Sequence, residues 1–206
     1  MNLNIVSYTN LDITQIEDKI HQFGKLISAN SEGEKLIEII PGISKSKNTL
    51  TTRYGFGAFP FHTDTAYWEK PAKYIALYCK NEGDGNRPTL FVELEDILKE
   101  NKIYKNLKES FFALKIDGKN IITKPIFSKD DEICIRYDKD CMIPQNESAK
   151  ALISQIDQLS EEFVNLKAKY WKSGDLIIFN NYKLLHSRGN SQTIDSNRTL
   201  IKGLIL

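Results

Sequence analysis

Between Ile13 and Ile27 the apolar residues Ile13, Ile16, Ile20, Phe23 and Ile27 recur every three or four positions, the period of an amphipathic helix. Thr14 followed by Glu17 has the form of a capping box near its start. The period returns over about Glu147 to Lys167. There Leu152, Ile156, Leu159, Phe163 and Leu166 line one face and Pro144 stands just upstream, so a second helix is predicted. Between the two, KYIALYC, TLFVEL, NIITKPIF and ICIRY are short aromatic and β-branched runs separated by Gly, Asp, Asn and Pro, the texture of strands and turns. In YWKSGDLIIFNNYKLLHSRG, Gly174-Asp175 and Asn180-Asn181 punctuate two apolar segments, which reads as a strand, a turn and a returning strand. RTLIKGLIL is a further strand whose last residues should tolerate truncation poorly. This pattern predicts a β-sandwich or barrel covered by helices, in one domain without repeats or linkers.

Composition narrows this little. The 206 residues are 41% hydrophobic and 27% charged, an ordinary globular balance. With 28 Lys and Arg against 27 Asp and Glu, the net charge of +1 supplies no field to draw the whole molecule onto nucleic acid or an anionic membrane. Cys79, Cys134 and Cys141 form no CxxC pair, and an odd number closes no disulfide framework. MNLNIVSYTNLD lacks a basic segment followed by an apolar core, and no apolar run reaches the roughly 20 residues of a spanning helix. A cytoplasmic location is expected, with neither nucleic acid nor membrane as partner.

The chain has three histidines. His62 and Asp64, in FHTDTAYW, are one residue apart, so an extended strand would put both side chains on one face. His186, in LLHSRG, lies near the end of another predicted strand. Two neutral imidazoles and a carboxylate are the facial donor set that holds non-heme iron(II) and leaves coordination positions open. In a chain with three His and 13 Asp an HxD pair arises by chance about one time in five. Alone, it does not decide between a metal site and a hydrogen-bonded pair at a strand end. His21 falls on the polar face of the first helix and receives no role, and YGFGAF does not match a phosphate loop.

The longer segment FHTDTAYWEKPAKYIALYCKNEGDGNRPTLFVELEDIL resembles the metal-binding region of the taurine dioxygenase and clavaminate synthase superfamily, with Thr89-Leu90 beginning 27 positions after His62. IRYDKDCMIP, then a helix, then GDLIIFNNYKLLHSRG are similar to the distal half of clavaminate synthase-like amino acid hydroxylases. Arg198, in SNRTLIKG, stands twelve residues beyond His186, at the place of the family's closing arginine. The resemblance runs from about Phe61 to Leu206. It implies a mainly β double-stranded β-helix, or jelly roll, with flanking α-helices: N-terminal helical support over about residues 1–50 and a jelly-roll core over about 51–206. It implies iron(II) on His62, Asp64 and His186, with 2-oxoglutarate as co-substrate, its distal carboxylate on Arg198 and Thr89, and O2 as oxidant. A planar guanidinium can hold that carboxylate bidentately while a hydroxyl adds another hydrogen bond.

The reaction so implied is hydroxylation of an unactivated C–H bond in a small polar substrate, such as a free or carrier-bound amino acid, with succinate and CO2 as co-products. Halogenating relatives replace the carboxylate that Asp64 retains, so hydroxylation is favoured. Arg53, Tyr67, Trp68, Arg136 and Arg188 are the expected substrate contacts, with Tyr137 beside Arg136. Only 61 residues precede His62, and the chain is shorter than most members of the family, so its lid and insertions should be reduced. Two other readings stay open. One is a non-catalytic protein of this fold that binds metal and 2-oxoglutarate. The other is an oxygenase acting on a macromolecule, which near-neutral charge and the single Arg198 in NRTLIKG disfavour.

Overall fold

The computed structural model describes residues 4–30, 32–42, 50–116, 118–159 and 166–206. In chain order the strands are β1 (Ile5–Tyr8), β2 (Leu26–Ile27), β3 (Leu36–Ile39), β4 (Tyr74–Asn81), β5 (Thr89–Glu93), β6 (Phe112–Ile116) and β7 (Lys119–Thr123). They continue with β8 (Ile126–Lys129), β9 (Glu132–Ile135), β10 (Ile143–Pro144), β11 (Lys167–Lys169), β12 (Leu176–Asn180), β13 (Leu184–Arg188) and β14 (Thr199–Ile205). A 3₁₀ turn (Ile13–Gln15) leads into α1 (Ile16–His21), followed by α2 (Leu50–Tyr54), α3 (Leu94–Lys99), α4 (Asn101–Glu109) and α5 (Glu147–Asp157).

The major sheet has the order β1-β12-β4-β14-β2, with β3 also paired to β14. The facing sheet is β11-β5-β13, extended beyond β13 by a bridge between His62 and His186. All these pairings are antiparallel. Small sheets of β10-β6-β7 and β8-β9 complete a mainly β jelly roll with flanking helices.

Alternation along the strands explains the layers. Ile75, Leu77, Ile177, Phe179, Leu200 and Leu204 point inward from the major sheet and pack with Phe91 and Leu184 of the facing sheet. Ala76, Tyr78, Ile178, Ile201 and Ile205, on the other face, are covered by Ile16 and Ile20 of α1. The outer face of the second sheet, with Leu90, Val92 and Leu185, packs on Ile97, Leu107, Leu152 and Ile156 of α3, α4 and α5. Sheets covered on both sides read as nearly continuous apolar strands, as in LIIFN of β12. No helix among the described residues is long and apolar enough to cross a membrane.

Several expected boundaries are corrected. The first helix ends at His21, because Leu26 and Ile27 pair with Ile205 and Leu204 and so take an extended conformation despite the helical period. Its capping box is formed by Asp12 and Gln15, not by Thr14 and Glu17. The second helix, capped by the Asn146 side chain on Ala149 N (3.1 Å), ends at Asp157, and Lys167–Lys169 is a strand on β5. Phe163 lies outside the described residues. NIITKPIF is two strands, divided at Lys124-Pro125, where proline removes a ladder donor. The sequence reading places no helix over Leu94–Glu109, where α3 and α4 stand. The described residues before α2 are not chiefly helical support, since β1 and β3 pair with β12 and β14 inside the major sheet.

Candidate metal centre

The segment at His62 runs antiparallel to β13, and His62 and His186 exchange both backbone hydrogen bonds (2.9 and 3.0 Å). Residues opposed in this way share a face, which brings the two imidazole centroids to 4.3 Å. Phe61 turns the other way, into the helix-side core. On its far edge the segment is fastened by Thr63 N donating to Tyr137 O (2.7 Å).

Asp64 follows where the strand stops. Asn181, fully buried, accepts from Asp64 N and donates to Asp64 O and Ala72 O, each at 2.9 Å. Thr65 has a φ of 56°, sparsely populated for a β-branched residue. Its hydroxyl donates to Asp64 O (2.7 Å) and accepts from Ala72 N (2.9 Å). These bonds over-determine a backbone conformation that costs on the order of 1–3 kcal/mol. Their effect is to aim the Asp64 carboxylate at the histidines.

One ligating atom from each of His62, Asp64 and His186 lies within 4.8 Å of the others. His62 Nδ1 is 3.0 Å from Pro60 O. A proton there donates to the carbonyl and leaves Nε2 as the free lone pair. Burial, reinforced by His62, pushes the His186 pKa down to about 3 against the opposing pull of Asp64, so the ring is neutral at physiological pH. For Asp64 burial acts upward, but Lys202, His186 and His62 together hold the carboxyl well below its usual range. Two imidazoles and one carboxylate fit iron(II). Lys202 Nζ donates to Asp64 Oδ1 (3.0 Å), while Oδ2 lies 3.7 Å from His186 Nε2. Lys202 was not singled out from sequence, although it shares strand parity with the inward Leu200 and Leu204, an unusual place for a charge.

Farther along β13, Arg188 stands opposite Thr89, next to the His186–Phe91 pair on the same face. Thr89 Oγ1 accepts from the indole of Trp171 (3.0 Å), which keeps its own hydrogen available to donate. The Arg198 guanidinium lies 6.0 Å from the Trp171 ring centroid, on the same indole. Arg198 is 3% exposed, and its Nε and Nη2 have no hydrogen-bond partner among the described residues. Buried, orphaned guanidinium donors beside a hydroxyl donor fit a carboxylate.

The other expected contacts are engaged elsewhere. Arg188 donates to Gly57 O (2.9 Å) and Gly55 O (2.6 Å) and stacks 3.7 Å above the Phe59 ring. Arg53 is exposed and paired with Asp140, which also accepts from Tyr54 (2.9 Å). Arg136 donates to Glu69 O (2.9 Å) and lies over Phe127. Tyr67 is exposed with an edge on half-buried Trp68, and Tyr137 is buried against Phe112. Asp138 was not anticipated at the site. Burial pushes its carboxyl up, and protonation of His62 would be the strongest opposing influence.

No family model matches the chain. Solved structures share its fold. Asparagine oxygenase, in complex with Fe(II), 3-hydroxyasparagine and succinate, superposes with a TM-score of 0.77 at 13% identity, over 98% of this chain and 74% of that one. PvcB from Pseudomonas aeruginosa, an iron- and α-ketoglutarate-dependent oxygenase of an isonitrile synthetic pathway, gives 0.70 at 16% identity over 98% and 75%. The non-heme iron oxygenase OrfP, with Fe, succinate and (3S)-hydroxy-L-Arg, gives 0.71 at 14% identity over 100% and 75%. At these identities the likeness is one of fold.

Proposed function

We propose that the chain is an iron(II)- and 2-oxoglutarate-dependent oxygenase of the taurine dioxygenase and clavaminate synthase-like superfamily, hydroxylating a small amino acid-like substrate. The observation that carries this reading is the convergence of His62, Asp64 and His186 within 4.8 Å, in a fold shared with oxygenases that use this chemistry. Iron(II) held there would couple the oxidative decarboxylation of 2-oxoglutarate, to succinate and CO2, with oxygen insertion into a C–H bond.

The chain's own residues divide the remaining work. Pro60 O fixes the His62 tautomer, and Lys202 holds one oxygen of Asp64 so that the other is free to ligate. Arg198 and Thr89 take the distal carboxylate of 2-oxoglutarate. Phe179 and Phe91, with ring centroids 4.9 and 6.5 Å from that of His186, keep water from its inner side. Lys202 beside Asp64, and the Asp138 carboxyl within electrostatic reach of His62, give the surroundings of the metal ligands a polar character that suits an α-amino acid. The neighbours captured with hydroxyasparagine and hydroxyarginine support that class. A single oxygenase domain in a reducing cytoplasm completes the reading, and the three free cysteines are compatible with it.

The test is a panel of free and carrier-bound L-amino acids incubated with the chain, iron(II), 2-oxoglutarate and air, with succinate and the gain of one oxygen atom measured by mass. At least one member should yield both in equal amounts. Failure of every member to raise succinate above the metal-free control would leave the non-catalytic binding protein as the better description.

A further inference from the structure

Past β13 the chain crosses to β14 through residues 189–198. This segment is exposed at Gln192, Thr193, Ile194, Ser196 and Asn197 but buried at Asp195. Asp195 is 1% exposed, and neither of its carboxylate oxygens has a hydrogen-bond partner among the described residues. Its ion pair is with Arg87, Nε to Oδ2 at 3.9 Å, both side chains being almost wholly removed from water.

The seat is shaped for this side chain. A Cβ on Gly83, whose φ is +71°, would overlap Asp195 Oδ1 and stand 2.9 Å from Arg198 Cβ. One on Gly85 would stand 2.8 Å from Asp195 Cβ. Gly85 O anchors the crossing segment by accepting from Ser191 Oγ (3.1 Å) and Gln192 N (2.9 Å).

Around this seat are Arg87, Arg188 and Arg198, none more than 5% exposed. Arg87 and Arg188 share Gly57 O as acceptor (3.3 and 2.9 Å). Arg87 Nε, Arg188 Nη1 and Arg198 Nε and Nη2 have no partner among the described residues. Burial and mutual repulsion push Arg188 down to about 9 and Arg198 down to about 10, so both remain cations at neutral pH. Three guanidinium charges against one carboxylate leave the cluster at +2. Idle donors and surplus charge removed from water are unfavourable until an anion enters.

We infer that Asp195 is the resident counter-ion of this arginine cluster and sets its affinity for a dicarboxylate, by offsetting one of three charges before the ligand arrives. The inference rests on the proposed function only for the ligand's identity. A ligand carboxylate entering the cluster meets Asp195 as a like charge. Binding is thereby held down for 2-oxoglutarate and succinate alike, since both carry the distal carboxylate, and the product can leave. An aspartate with a merely structural role would have the opposite effect, because losing it would loosen the site.

The test compares the chain with its Asp195→Asn variant. Succinate is titrated calorimetrically without metal, and 2-oxoglutarate is titrated after anaerobic loading with iron(II), followed by the visible absorption of the complex. Asp195→Asn should bind both ligands about tenfold more tightly, as relief of repulsion between two buried carboxylates requires, with iron(II) affinity unchanged. Its ligand-free form should melt below wild type and gain more from saturating succinate. Equal or weaker succinate binding by the variant overturns the inference. Absence of a 2-oxoglutarate signal in iron-loaded wild type would overturn the proposed function, while the metal-free succinate titration still decides the role of Asp195. If the variant does not fold alone, refolding in succinate decides: recovery of folded chain supports the counter-ion role, and no recovery overturns it.

Discussion

His186 and Asp64 both titrate below their ordinary values, His186 near 3 instead of 6.5 and Asp64 below 3.8. As pH falls, the unfolded chain takes up each proton before the folded chain does. The metal-free protein should therefore lose stability as pH drops from about 6.5 toward 3, through His186, and again below 3.8, through Asp64. Denaturant unfolding at stepped pH checks this, and His186→Asn should flatten the upper part of that slope by about one proton. At Thr89, exchange of the hydroxyl for a methyl in Thr89→Val should weaken 2-oxoglutarate about tenfold, the worth of one hydrogen bond to a charged group, and leave metal affinity unchanged. Calorimetric titrations of each ligand separate the two effects. At this scale the HxD pair and the distal histidine made the donor set legible, although Asp64 is aimed by a turn held by Asn181 and Thr65 and not by an extended strand. Arg188 is among the expected substrate contacts. Its capture by the carbonyls of Gly55 and Gly57 is a tertiary contact that local spacing does not encode.

The elements convert those residue types into a site. The antiparallel register sets His186 opposite His62 and Arg188 opposite Thr89, so a slip of one residue would turn the histidine and the arginine toward the helices. Asn181, in the turn between β12 and β13, holds Asp64 by bonds to both its backbone N–H and its C=O. Asn181→Ala should lose about 3 kcal/mol of stability, since it leaves buried backbone groups unpaired, and should also lower metal affinity. Chemical denaturation and a metal titration read these separately. Leu204, 2% exposed on the inner face of β14, should cost about 2–5 kcal/mol on truncation to Ala, measured in the same way. Strand texture and the apolar stripe of α5 were legible from periodicity. The end of the first helix was not, because the pairing of Leu26 and Ile27 with the last strand outweighs a local helical pattern.

For the whole molecule, fold class followed from many short apolar runs between turn residues, whereas the division expected near residue 50 failed for a topological reason. β1 and β3 find their partners in β12 and β14, near the opposite end of the chain, and no window along the sequence contains both members of such a pair. Thr89 on β5, Trp171 after β11 and Arg198 before β14 are likewise assembled only by closure of the two sheets. Whether those facing sheets bring metal and co-substrate together is measured most directly by adding 2-oxoglutarate to the iron(II)-loaded chain under strict anaerobiosis and recording its visible spectrum. Wild type should develop the weak metal-to-ligand charge-transfer band of a chelated keto acid in proportion to one site per chain, and Asp64→Ala and His186→Ala should not. No band in wild type, or the same band in both variants, would contradict the assignment of His62, Asp64 and His186 as an iron centre.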